Sequence, residues 1–228
     1  LEDYKLVVAP VNYMYRGNYA ENVRRYVENG GIYVTTWFSG EVNESDLCFL
    51  DKHPLEDVLG IWTEEMDAPA EHITNSLEYA GKSWKVTGAR ALVHANGAKV
   101  LSVYQEDFYA GYPALTENSF GKGRAYFISS QNEQGFIKCL TENLAKEAGT
   151  LSSFAGKLPH GVTVKERKPL EQEEGESLFF LQNFNNKRED ILIRKPYRDI
   201  EKNIRYSEVI SMEPYQCLVL CEEKDKWT

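Results

Sequence analysis

Between Tyr4 and Thr36 two short apolar runs flank a helical stretch and a glycine pair, and that order leaves few folds open. Tyr4-Lys5-Leu6-Val7-Val8-Ala9-Pro10 is a continuous apolar run closed by proline, the pattern of a strand buried on both faces of a parallel sheet. Ala20, Val23 and Val27 then recur at helical spacing. Asn18 stands as N-cap, Glu21 as its capping-box partner and Gly30-Gly31 as the stop. Ile32 to Thr36 is a second β-branched run. Strand, helix and strand joined this tightly form a βαβ unit, so the two strands are expected to lie parallel with a right-handed crossover.

The pattern changes beyond that unit. Asp51 to Ile61 reads as a short helix, with Pro54 near its start and Leu55, Val58 and Leu59 on one side. From His72 to Gln105 two-residue alternation takes over, broken at Ala80-Gly81, Thr87-Gly88 and Asn96-Gly97. These breaks predict hairpins, with Asn96-Gly97 the strongest turn signal. Another strand pair follows across Gly121-Lys122-Gly123, and its second strand is the core-like run Arg124 to Ser130. Glu133 to Glu147 places Phe136, Ile137, Leu140 and Leu144 on one helix face and closes a first domain, residues 1–150. Residues 151–160, rich in Gly, Ser and Pro, read as a linker. Residues 161–228 hold short strands at even spacing, separated by charged turns such as Glu171 to Gly175 and Asn185 to Arg188. That pattern predicts a small all-β antiparallel sandwich.

Charge narrows the partners. With 26 basic and 35 acidic residues the chain carries a net charge of -9, so neither a nucleic acid nor an acidic membrane surface is expected, and a neutral or cationic ligand fits better. The apolar runs are strand-sized, too short for a membrane span. Cys48, Cys139, Cys217 and Cys221 show no CxxC spacing, which points to free thiols in a reducing, cytoplasmic setting. Cys217 and Cys221 fall on one face of a strand with no histidine near in sequence, so no metal site is assigned. The chain starts Leu1-Glu2-Asp3, without an initiator Met or an apolar leader, and reads as an internal or C-terminal piece of something longer. Asn43-Glu44-Ser45 matches a glycosylation acceptor and is taken as chance in the absence of a secretory signal.

Few residues invite chemistry. In Thr36-Trp37-Phe38-Ser39-Gly40 a serine follows a parallel strand, where this class of fold keeps its nucleophiles. The flanks of a nucleophile elbow must be small, however, and here two large aromatics precede Ser39. His53, His72, His94 and His160 all sit in turns or alternating strands with no acidic partner evident in the sequence. Asn132-Glu133 and Asn43-Glu44 look like acid/base dipeptides, but at a helix start Asn132-Glu133 reads first as cap residues, with the acid favoured by the helix dipole. Gly121-Lys122-Gly123-Arg124-Ala125 lies in a hairpin turn, so no helix N-terminus there receives a phosphate, and no cofactor is expected. Tyr104, Phe108, Tyr109 and Tyr112 crowd one loop-like stretch, which suits either a protein interface or stacking on a sugar ring.

Taken in order, the Tyr4 to Pro10 run, Asn18 to Leu50, Leu55 to Ile61 and Asp107 to Ile128 resemble the trimerisation domain of glycoside hydrolase family 42 β-galactosidases. Glu213 to Leu220 is similar to the last strand of that family's small C-terminal β domain. The resemblance implies a flavodoxin-like or class I glutamine amidotransferase-like α/β domain with β-hairpin insertions, followed by the β domain. It also implies a homotrimer, and a catalytic (β/α)8 barrel carrying both catalytic glutamates. Such a barrel needs about 250 residues, and this chain has no room for one. Neither glutamate maps onto it, and a galactoside substrate would be met only by the barrel. Trp37, Phe38, Phe108, Tyr109 and Tyr112 are the expected association residues. A carbohydrate-binding module using the Tyr104 to Tyr112 aromatics and an amidotransferase-like hydrolase using Ser39 remain the alternatives.

Overall fold

In the computed structural model, which describes residues 1–49, 52–70, 72–170 and 175–223, β1 (Leu6–Ala9) and β2 (Ile32–Thr36) pair in parallel, with Leu6 opposite Ile32. Helix α1 (Tyr19–Glu28) connects them. Gly31 ends the crossover because a Cβ there would lie 2.2 Å from the Tyr26 ring, and the Tyr26 hydroxyl donates to the Ile32 carbonyl at 3.2 Å. Asn18 occupies the N-cap, but its side chain makes no capping hydrogen bond. The helix is held instead by its buried Val23, Tyr26 and Val27 and by a fork from Arg24 to both Asp57 carboxylate oxygens, at 2.9 and 3.0 Å. β1 departs from expectation. It is an edge strand and Val8 is 44% exposed, so the apolar run is covered on only part of its surface.

The expected helix over Asp51 to Ile61 shrinks to the single turn α2 (Glu56–Leu59), stopped by Gly60 at φ 63°; Asp51 lies outside the described residues. Then come β3 (Ile61–Asp67), β4 (Asn75–Tyr79), β5 (Lys82–Ala95), β6 (Lys99–Val103), β7 (Pro113–Phe120), β8 (Gly123–Ile128), β9 (Ser130–Asn132) and helix α3 (Gln134–Glu147). One sheet runs β1-β2-β8-β7-β6, with β1, β2 and β8 parallel, β7 antiparallel to β8, and β6 antiparallel to β7. The other is β3-β5-β4, with β9 added to β5.

Three glycine dipeptides behave in three ways. Ala80 and Gly81, both at positive φ, close the β4–β5 hairpin. Thr87-Gly88 makes no turn, and β5 runs 14 residues through it, with Gly88 close under Gln131. Asn96-Gly97 turns the chain but closes no ladder, because β5 and β6 belong to different sheets. The Gly60 carbonyl accepts from Asn96 and Ala98 at 2.7 and 3.0 Å and pins that corner to the end of α2.

The period-two alternation of the central strands feeds two cores. Tyr33, Ala125 and Phe127 join Val23, Val27, Leu55, Val58 and Leu59. Ile32, Val34, Tyr126 and Ile128 join Leu77, Tyr104, Tyr109, Phe136, Leu140 and Leu144. The chain divides at this point into units Leu1–Thr150 and Leu151–Thr228.

The second unit has two antiparallel sheets. Strands β10 (Gly156–Lys157), β13 (Glu189–Ile193) and β16 (Val209–Met212) form one. The other contains β11 (Val162–Arg167), β12 (Leu178–Asn183), β17 (Cys217–Glu222), β14 (Tyr197–Asp199) and β15 (Arg205–Tyr206). Their shared core contains Phe154, Phe179, Leu181, Ile191, Tyr197, Ile210, Met212, Leu218 and Leu220. Residues 151–160, expected as a linker, belong to this unit. Phe154 packs 4.8 Å from Tyr197, whose hydroxyl accepts from the Ala155 N–H at 2.7 Å. β14 was not foreseeable, since three residues behind Pro196 are too few to show alternation. In the expected turn at Glu171 to Gly175, residues 171–174 lie outside the described residues.

Candidate functional site

The turn after β2 is built by the chain's own hydrogen bonds. Thr36 Oγ1 accepts from the Val11 N–H at 2.8 Å, and Ser39 Oγ accepts from the Asn12 N–H at 3.0 Å. The backbone is left-handed at Phe38, φ 59°, and again at Gly40, φ 72°. Glycine is required at 40 on a second count, since a Cβ would lie 2.3 Å from His53 Nε2 and 2.7 Å from the Tyr15 ring.

A histidine does reach this turn, which sequence separation had hidden, but it reaches the Ser39 carbonyl. His53 Nδ1 accepts from the Leu55 N–H at 3.1 Å, so Nε2 carries the proton and donates it to Ser39 O at 2.9 Å. Burial holds the imidazole below its ordinary value of 6.5, and it stays neutral near pH 7. With both its nitrogens engaged and Ser39 only 3% exposed, His53 is not free to activate the hydroxyl. A hydrolase built on Ser39 is therefore not supported.

The expected association aromatics separate by direction. Trp37 is partly buried against the first core. Phe38 points out, 39% exposed, and stacks on Tyr13 with ring centroids 5.0 Å apart. With the exposed Val11 and the 37% exposed Tyr13 it forms an apolar strip beyond the carboxyl ends of β1 and β2. Phe108 is 64% exposed.

Tyr109 is a core residue at 1% exposure. Its hydroxyl donates to Asp67, and the Arg90 guanidinium lies 5.0 Å over its ring. Burial, then the bond to Asp67, keeps that phenol protonated far above its ordinary range. Tyr104 is likewise buried and donates to the Ser129 carbonyl at 2.9 Å. Tyr112 is half-buried and meets His94 edge-on. The Tyr104 to Tyr112 stretch thus offers Phe108 alone as a well-exposed ring, which removes the stacking platform a sugar-binding reading requires.

The remaining candidates are structural. The Glu133 carboxylate accepts from the Lys85 N–H at 2.7 Å and ties β5 to the start of α3. His94, expected to lack an acidic partner, pairs with Glu64; the two are 30 residues apart, beyond what sequence proximity reveals. All four cysteines are unpaired, with Cys217 exposed and Cys221 buried. Among the described residues no cluster of three or more His, Cys, Asp or Glu side chains could hold a metal ion. No helix of the described residues is long and apolar enough to cross a membrane.

Residues 1–151 match the family described as "Beta-galactosidase trimerisation domain". The chain is 36% identical to the β-galactosidase BgaP of Planococcus sp. strain L4 over 98% of its own length and 32% of that protein. It is 38% identical to the β-galactosidase Pbg of Clostridium perfringens, over 93% of the chain and 32% of that protein. Among solved structures it is similar to the β-galactosidase of Bacillus circulans sp. alkalophilus, with a TM-score of 0.84 and 34% identity, over 96% of the chain and 33% of that protein. The chain thus spans about a third of the length of the relatives it matches.

Proposed function

The chain belongs to the β-galactosidase trimerisation domain family of glycoside hydrolase family 42, and from that premise we propose that it is the assembly part of a larger, homotrimeric β-galactosidase. In this reading the parent hydrolyses terminal β-D-galactosides with retention, using a carboxylate pair on a (β/α)8 barrel outside this chain. The observation that carries it is the likeness along nearly the whole chain to proteins of which it makes up only a third. The engaged Ser39 hydroxyl supports a role without chemistry of its own. Three parallel strands with α1 between the first two support descent of the first unit from a flavodoxin-like or amidotransferase-like sheet. The four unpaired cysteines support a cytoplasmic setting.

For the association surface we select Phe38 and Phe108, the two outward-facing members of the expected set, and add Tyr13 and Val11 beside Phe38. Aromatic anchors of this kind dominate interface energies once buried. A threefold cyclic arrangement would bury the same strip on each copy. Light scattering on the chain is expected to give a mass near three times 26.1 kDa. A strict monomer at high concentration would overturn autonomous assembly by this chain. Purified chain is expected to hydrolyse no chromogenic galactoside; turnover abolished by a substitution within it would overturn the division of labour.

A further inference from the structure

β3 carries a second arrangement of aromatic and charged side chains. Its ladder with β5 slips between Thr63 and Glu65, leaving Glu64 as a bulged residue, and bulges re-aim side chains. Trp62 lies opposite His94 in that ladder, and their rings stack 4.2 Å apart at 10°. His94 Nε2 pairs with the re-aimed Glu64, and Tyr112 meets the imidazole edge-on at 5.5 Å. The imidazole is braced by three groups and in turn supports one face of the indole, which stays 42% exposed. A ring held in this way has little rotamer freedom left to lose when a ligand stacks on it.

Trp62 borders a cavity of about 670 Å³ whose lining also includes Glu41, Lys52, His53, Glu56, Glu64 and Glu65. That volume falls within the ~300–1,000 Å³ of small-ligand sites. The polar groups differ in sign and role. Glu41, Glu56 and Glu65 accept hydrogen bonds, Lys52 donates them, and both His53 nitrogens are already engaged. An anion would meet the carboxylates, whereas a hydroxyl both donates and accepts and satisfies carboxylate and ammonium alike. A ligand with an apolar C–H face and a rim of hydroxyls matches the indole and the rim together.

We propose that this recess binds a neutral saccharide ring, stacked on Trp62 and hydrogen-bonded by the carboxylates and the Lys52 ammonium around it. The site goes beyond the assembly role, although Gly40 and Glu41 in its lining adjoin the Phe38 and Tyr13 strip.

Saturation-transfer NMR of the chain with lactose, a neutral disaccharide probe, tests it without using the indole as reporter. Saturable transfer to the sugar protons is expected, weakened about tenfold or more in Trp62→Ala, which is about 1.4 kcal/mol of lost binding. Glu41→Gln, which keeps shape and removes charge, is expected to weaken it severalfold and guards against a folding artefact in the first variant. An absence of saturable transfer, a response unchanged in Trp62→Ala, or tighter binding of L-arginine than of lactose would each overturn the proposal. The third outcome would make the recess a cation site. Light scattering on the same samples separates the two proposals, since saccharide binding can fail while the trimer forms, and the reverse.

Discussion

The turn at residues 36–40 and the loop at residues 104–112 look alike in sequence, each a short aromatic cluster after a strand, but Tyr104 and Tyr109 of the loop turn inward while Phe38 of the turn points outward. Tyr104 and Tyr109 turn inward because each hydroxyl finds an acceptor, the buried Ser129 carbonyl and the half-buried Asp67 carboxylate. Burying a phenol without such a partner would cost more than its ring recovers. Phe38 has no polar atom to satisfy, but a left-handed backbone turns it outward against Tyr13. Aromatic density therefore marks both a core and a surface, and the available hydrogen-bond acceptors decide which.

Four changes test that contrast. Tyr109→Ala is expected to destabilise the first unit by ~3–5 kcal/mol, as removal of a buried aromatic ring does. Urea unfolding measures it, and a loss under ~0.5 kcal/mol would mean that the loop is surface after all. Gly40→Ala should cost ~2–3 kcal/mol, because it combines a left-handed φ with a collision against His53 and Tyr15. Were it tolerated, the turn would not be held as tightly as its hydrogen bonds imply. Ser39→Ala removes the acceptor of the Asn12 N–H and should cost ~1 kcal/mol, while the exposed Phe38→Ser should change chain stability by less than that and instead shift the trimer mass toward monomer. The reverse pattern would exchange the roles of the two residues.

The smallest effect is pH-dependent. Burial depresses the His53 pKa below 6.5, so the unfolded chain takes up this proton before the folded one does. The turn is fully stable above pH 6.5 and loses stability as pH falls from there through the folded-state value. His53→Gln should flatten stability across that window, as read by thermal melts between pH 7 and pH 5. An unchanged slope would place the acid sensitivity elsewhere.

Much of the fold was legible because it depends on local signals. The Val23 and Val27 spacing, the Gly30-Gly31 stop and the β-branched run at Ile32 specify strand, helix and strand within 33 residues, and the two strands do pair in parallel. The helix from Glu133 was legible for the same reason, with Phe136, Leu140 and Leu144 buried as their spacing requires. The misreadings share a cause. Thr87-Gly88 and Asn96-Gly97 carry the same turn chemistry as Ala80-Gly81, but whether a glycine ends a strand, lies within it or turns a corner depends on the segment packed against it. Here those segments are Gln131 for Gly88 and the Gly60 carbonyl for the corner at Asn96. The stretch 151–160 looked like a linker because its composition is flexible, yet Phe154 found a distant aromatic pocket.

The candidate sites divide in the same way. Ser39 could be doubted as a nucleophile from Trp37 and Phe38 alone, because bulky neighbours can be read in one dimension. That its hydroxyl is occupied by Asn12 and that His53 is spent on a carbonyl are contacts across 27 and 14 residues, which no local pattern encodes. The braced Trp62 recess had no signal at all. Its indole, imidazole and carboxylate meet only because a β-bulge lets Glu64 face a strand 30 residues away. Periodicity and turn residues act between near neighbours and so determined the elements and their order. Burial, side-chain direction and the pairing of polar groups depend on which distant atoms share the low-dielectric interior, and only the tertiary structure decided them.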